Sequence, residues 1–365
     1  MTYLHANFKP RMGQAVDFLV IGQGISGSFL QFELEQAGVS HLVIDEIRPS
    51  AASRVAAGLI NPVTGRRLVT TWMIDELLGY AREAYGRLAA VLGSEFLSPV
   101  TVTDFFPTPQ MRLAFLDRIK EGGPYLRLPE DERDQLDRFQ YELGYGSIGP
   151  CFLVDVPGLL DACRRRIRGL GLLREARFEI AELKVEEGGI RYGDIEARRI
   201  VFCDGAAGFD SPWFSRLPFA PNKGEALIVE VPGLEMKGMV AKKGISLVPW
   251  RDDLYWAGSS YEWSFEHAQP TELFRQRTEA ALRGWLKLPF QTLEHLAAVR
   301  PATLERRPFV GFHPAFPAVG ILNGMGTKGC SLAPYFAHEL VQNVLTGSPI
   351  RADADVKRFT KVLSR

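Results

Sequence analysis

The chain has little of what usually marks a secreted, metal-binding or nucleic-acid-binding protein. Its 365 residues hold four cysteines, Cys151, Cys163, Cys203 and Cys330, with no C-x-x-C pair. That spacing indicates neither a zinc site nor a disulfide framework, so reduced thiols in the cytoplasm are expected. Six histidines fall in no H-x-x-x-H or Cys/His pattern, and no metal is expected. Net charge is also missing, because 43 Lys and Arg offset 43 Asp and Glu. Without an overall field to gather a polyanion, nucleic acid is not an expected partner, and small or uncharged partners are favoured. No run approaches the roughly 18 uncharged apolar residues of a membrane span. The first fifteen residues lack the apolar core of a signal peptide, which points to a soluble, unexported protein. There is no internal repeat and no low-complexity tract.

What is present is length for two lobes, since single cores stop growing at about 250–300 residues, and a glycine-rich turn. In "FLVIGQGISGSFL", Gly22, Gly24 and Gly27 follow the order G-x-G-x-x-G. The apolar run before it reads as a buried parallel strand, and Ile25 to Ala37 reads as a helix that Gly38 ends. "HLVIDE" is then a second strand, with Asp45 and Glu46 about twenty residues after the glycines, where a ribose-binding carboxylate belongs. In such a turn Gly22 permits the bend, Gly24 admits a pyrophosphate, and Gly27 lets helix pack on strand. The amides of Ile25 and Ser26 would face the phosphates, helped by the positive helix end. Spacing alone leaves NAD and FAD open.

A second glycine cluster, Gly324, Gly326 and Gly329 in "NGMGTKGCSLAPYFAHEL", precedes another helix nearly three hundred residues later. Two distant helix ends suit a flavin. One would hold the pyrophosphate, and the other the isoalloxazine edge that becomes negative on reduction, with Lys328 adding fixed positive charge. Between the clusters, "GEALIVEV", "ISLVPW" and "LYWAGSSYEW" read as strands of an antiparallel sheet. A strand is also expected around Phe178–Val185. "RRRIR", Arg164–Arg168, reads as the solvated face of an amphipathic helix.

Several segments together resemble the FAD-dependent D-amino-acid oxidase superfamily, close to glycine oxidase. They are "SRVAAGLINP", "CFLVDVPGLLDAC", "FEIAEL", "PNKGEALIV", "ISLVPWRDDLYWAGSS" and "VRPATLERRPFVG", in addition to the first glycine turn. The resemblance runs nearly end to end and, with the two helix ends, implies non-covalent FAD. It implies an α/β fold: a Rossmann-like FAD-binding domain, discontinuous in sequence (14–92, 148–218 and 300–365), with a second antiparallel-sheet substrate domain (93–147 and 219–299). It further implies cofactor contacts from the loop of Ser53, Arg54, Gly58 and Leu59, from Ile180, from Gly205, and from Thr327 beside Lys328. The arginine of the R-P turn, Arg300, would hold the substrate carboxylate through a planar two-pronged grip. Pairing of Arg300 with an acid such as Glu305 is the alternative. Where glycine oxidases place a tyrosine to help with the carboxylate, this chain has Ser246. Tyr261, Trp263 and Trp250 are aromatic candidates for the pocket wall.

The implied function is oxidation of a small amine or amino acid of the glycine, sarcosine or D-amino-acid kind. Its hydride passes to flavin N5, the imine is hydrolysed, and oxygen or another acceptor takes the electrons. Two alternatives stand beside it. "GTKGCSLAP" also resembles the oxidase half of the bifunctional enzyme acting on a carboxymethylaminomethyl group of a tRNA wobble uridine. The other alternative is a flavin-binding protein without turnover.

Overall fold

The computed structural model describes residues 15–65 and 67–364. Two sheets organise the chain. The first has eight strands and is built around Ala15–Ile21, whose interior residues are buried as a strand covered on both faces requires. His41–Asp45 lies parallel to it on one side and Ile195–Phe202 on the other. Leu173–Glu175 and Val319–Asn323 extend the parallel set outward. Antiparallel strands Leu183–Glu186, Gly189–Tyr192 and Phe309–Phe312 complete the edges. Helix Ile25–Gln36 is buried from Ile25 through Leu34, which is why its sequence shows so little polar face. It shares one core with the last long helix, Gly329–Thr346, through residues such as Phe29 and Phe336.

The second sheet has nine strands in the order Gln291–Arg300, Asn222–Glu230, Leu254–Gly258, Ile245–Arg251, Met239–Lys243, Leu97–Phe105, Tyr145–Val154 and Leu59–Ile60, with Leu126–Arg127 on Tyr145–Val154. Every pairing is antiparallel except that of Met239–Lys243 with Leu97–Phe105. Residues directly opposite one another share a face. One face carries Leu227, Ala257, Leu247 and Ala241 into a separate aromatic-rich core with Phe105, Phe139 and Trp285. The other face carries Ala226, Gly258, Ser246 and Lys242 in one row, and the Gly224–Ala298 and Asn222–Arg300 pairs further along. Small side chains therefore floor this face, and space is left above it.

Two segments depart from the expected elements. No strand covers Phe178–Ile180; a single 3-10 turn, Ile180–Glu182, leads into Leu183–Glu186 instead. The strand from Leu254 ends at Gly258, so Tyr261 and Trp263 lie on a connecting loop rather than in the sheet.

Candidate active site

A cavity of about 1050 Å³ lies between the carboxyl ends of the parallel strands and the small-residue face of the second sheet. Ligands of open α/β sheets bind in such a crevice. At the first glycine turn Gly22 has φ +94°, and a Cβ there would come within 2.7 Å of the Cys203 carbonyl oxygen. A Cβ on Gly27 would meet the Gly22 carbonyl oxygen at 1.9 Å, so Gly27 serves helix–strand packing and does not line the cavity. Gly24 is different, because its absent Cβ would meet only Ser53, at 3.2 Å from Oγ. Gly24, at the N-cap, has no side chain of its own to cap the helix that begins at Ile25. The positive end of that helix faces the cavity, which Ser26 lines beside it. The Ile25 amide already donates to Ser53 Oγ at 3.1 Å, which ties the loop to the turn.

Asp45 stands at the end of the second strand as expected, but with partners that the sequence did not suggest. Its Oδ1 accepts the Gln23 amide at 2.8 Å and its Oδ2 accepts Arg164 Nη1 at 2.5 Å. Arg164 is 4% exposed and also binds Glu175 at 3.0 Å. The arginine run is therefore not simply a solvated face: Arg164 fixes Asp45, Arg166 pairs with Glu35, and Arg168 pairs with Glu175. The only trace of this in the sequence is one arginine on the apolar stripe of Leu160, Cys163 and Ile167. Glu46 lines the cavity near the surface and pairs with Arg48. Ile180 lines the same end from its turn.

Further along, Ser53, Gly58 and Leu59 form one wall, while Arg54 lies outside the cavity lining and pairs with Asp161 at 3.0 Å. Gly205 lines the opposite wall beside Asp204, whose carboxyl is pushed up to about 7 by burial. Asn323 reaches both, donating to Asp204 Oδ1 at 3.2 Å and to the Gly205 carbonyl at 2.8 Å. Sequence reasoning passed over both Asp204 and Asn323 as site residues. Gly326, Thr327, Lys328 and Gly329 also line the cavity, Gly329 next to Ile25, and no side chain caps the helix that starts there. Gly324 sits beneath this turn, against Thr303 and Phe309, and does not line it. Lys328 donates to Thr71 Oγ1 at 3.2 Å, and burial pulls its pKa down to about 8. Among the described residues no carboxylate pairs with it.

Arg300 faces the cavity from the second sheet. Its guanidinium donates to Asn222 Oδ1 at 2.5 Å, to Ser259 Oγ at 2.9 Å and to the Ser260 carbonyl at 3.2 and 3.3 Å. Glu305 is not its partner; that carboxylate pairs with Arg358. The cation is held by neutral groups, and its charge is left for a ligand. A Cβ on Gly224 would come 1.9 Å from Arg300 Nη2, so glycine alone leaves the guanidinium this seat. Gly224→Ala is accordingly expected to fold normally, because the arginine end can move, while raising KM for a carboxylate substrate about tenfold with FAD retained. Steady-state kinetics and thermal melts check this together.

Ser246 lines the cavity, and Tyr261 borders it at 53% exposure with its ring 5.1 Å from the Arg300 guanidinium carbon. Trp263 does not line the cavity; it packs edge-on against Tyr261 and is 54% exposed. Trp250 packs against the main core instead. Cys330 is half-buried, with burial raising its thiol to about 12. No cluster that could hold a metal occurs among the described residues. No helix among them is long and apolar enough to cross a membrane.

The groups fit FAD: two helix starts lie side by side on one cavity, a Cβ on Gly329 coming within 3.0 Å of Ile25 Cγ2, with Asp45 held by Arg164 on the same lining and Lys328 engaged by no carboxylate among the described residues. Comparison with known proteins agrees. A glycine oxidase of Bacillus licheniformis is 24% identical over 94% of this chain and 96% of its own. The bifunctional protein MnmC of tRNA 5-methylaminomethyl-2-thiouridine biosynthesis from Caulobacter vibrioides is 25% identical over 89% of this chain and 54% of its own. The crystal structure of glycine oxidase from Geobacillus kaustophilus superposes with a TM-score of 0.77 at 17% identity, covering 94% of this chain and 99% of that one, a likeness of fold. The DAO family pattern, described as FAD dependent oxidoreductase, matches residues 17–343. The chain thus belongs to the DAO family and is an FAD-dependent oxidoreductase acting on CH–NH donors.

Proposed function

We propose that this enzyme oxidises a small amino acid of the glycine, sarcosine or D-amino-acid kind, with Arg300 gripping the substrate carboxylate. The observation that carries the reading is a half-buried guanidinium surrounded by neutral acceptors and turned to the cavity. The parallel sheet serves as the FAD lobe and the antiparallel sheet as the substrate lobe. FAD supplies the acceptor for the hydride that leaves the substrate α-carbon, and water then hydrolyses the imine. Gly24 and the uncapped first helix hold the diphosphate, while Asp45, kept in place by Arg164, takes the ribose. Lys328 would set positive charge beside the second helix start, where negative charge would grow on reduction. Gly224, Gly258 and Ser246 leave room for the substrate over the sheet. A deprotonated amine needs no strong base, in keeping with a cavity lining that holds no histidine among the described residues.

A glycine-like unit on a tRNA wobble uridine is the second reading, favoured by the MnmC relative. Against it, Arg164, Arg166 and Arg168 are already engaged by carboxylates. Anaerobic bleaching of the flavin band with glycine, sarcosine, D- and L-amino acids and modified nucleosides tests both. Reduction by a small amino acid is the expected result. Reduction by the modified nucleosides alone would replace the first reading with the second.

A further inference from the structure

The row of cavity-facing residues that ends Arg300's sheet face contains a second cation. Lys242 stands opposite Ser246 on one side and Asp104 on the other. Its Nζ donates to Asp104 Oδ2 at 2.7 Å. The two side chains are unequally placed, Lys242 at 26% exposure and Asp104 at 3%. Lys242 lines the cavity and Asp104 does not, so a ligand meets the ammonium first with the carboxylate behind it. An ammonium has three N–H donors, and Asp104 takes one. Asp104 is buried deeply enough that its Oδ1 has no hydrogen-bond partner, so this is no solvated surface pair. The Glu225 carboxylate alternates to the other face of the sheet with Leu227, where Lys223 at 3.0 Å, His295 at 2.9 Å and the Thr271 amide at 2.6 Å engage it.

Given the reading that Arg300 holds one carboxylate, on which this inference rests, we propose that Lys242 is a specificity-determining residue that binds a second anionic group at the far end of the substrate. The substrate class is then an elongated amino acid carrying an acidic terminus. Arg300 sits over Gly224, on Asn222–Glu230, and Lys242 lies on Met239–Lys243, with two strands between. Three inter-strand steps of roughly 14 Å, with an offset of two residues or roughly 7 Å along the strand from Ala226 to Gly224, amount to roughly 16 Å. Subtracting an N–H···O contact of about 3 Å at each end leaves about 10 Å between the two anionic groups.

Straight-chain dicarboxylates from malonate to azelate, each compared with the monocarboxylate of equal length, test this on the holoenzyme by calorimetry and by perturbation of the flavin absorption band. Chains of roughly seven to nine carbons are expected to bind about tenfold tighter as dicarboxylates than as monocarboxylates. In Lys242→Met that ratio falls to about one. The double variant Lys242→Met/Asp104→Asn repeats the measurement without an unpaired buried carboxylate, should the single variant fail to fold. A ratio near one in the natural protein, or one that survives loss of Lys242, overturns the proposal while leaving Arg300's role intact. If monocarboxylates do not bind either, the carboxylate reading of Arg300 fails and this proposal falls with it.

Discussion

Gly24→Val is expected to yield a folded protein that purifies without yellow colour. Three glycines form the first turn, and only this one separates cofactor binding from folding. Gly22 has a positive φ and a carbonyl in the way of any side chain, and Gly27 would drive a Cβ into the Gly22 oxygen. Either replacement would disturb the strand–helix junction itself. Gly24 has φ −74° and ψ −167°, an extended conformation that valine adopts readily. Its missing Cβ would touch only the Ser53 hydroxyl, so the branched side chain projects to the space where a diphosphate approaches the helix end. Keeping the phosphate away removes charge-assisted hydrogen bonds of about 1.5–3 kcal/mol each. Losing two of them weakens FAD by about a hundredfold or more. Circular dichroism should match that of the natural protein while the absorbance ratio at the flavin band collapses. A yellow variant with full flavin content would remove the pyrophosphate from this turn.

Arg300→Ala should do the reverse, retaining FAD and losing substrate. The guanidinium is held by Asn222, Ser259 and the Ser260 carbonyl, none of which carries charge. Their neutrality means that alanine leaves no buried carboxylate unpaired, so the stability loss should be modest. Substrate carboxylate, in contrast, loses a two-pronged grip worth about 3 kcal/mol or more. KM should therefore rise about a hundredfold or more, measured against the flavin content and melting temperature of the same preparation. Unchanged kinetics would show that the carboxylate is bound elsewhere.

The reach of the sequence can be judged from particular residues. The strand–turn–helix at Gly22–Gly27 and the helix start after Gly326 were legible because each rests on local chemistry: apolar run, glycine, then helix. Asp45 was legible as a position, because strand and helix lengths fix its distance from the glycines. Its lock by Arg164 was not, since 119 residues separate the two, and the place of Arg164 on the apolar stripe of its helix marks it as inward-facing without saying which carboxylate it meets. Ile180 was placed at the cavity, but on a strand rather than a turn; the segment finds no sheet neighbour, which only tertiary structure decides. Arg54 and Trp263 share short segments with Ser53 and Tyr261, and which neighbour faces inward is settled by the backbone path. The Lys242–Asp104 pair depends on the one parallel pairing in an otherwise antiparallel sheet, for which the chain offers no local cue.

The first sheet gathers its parallel neighbours from residues 41, 173, 195 and 319, and its two uncapped helices start at Ile25 and Gly329. A chain still emerging from the ribosome therefore has half a berth for its coenzyme until Gly329 and the helix behind it have been made.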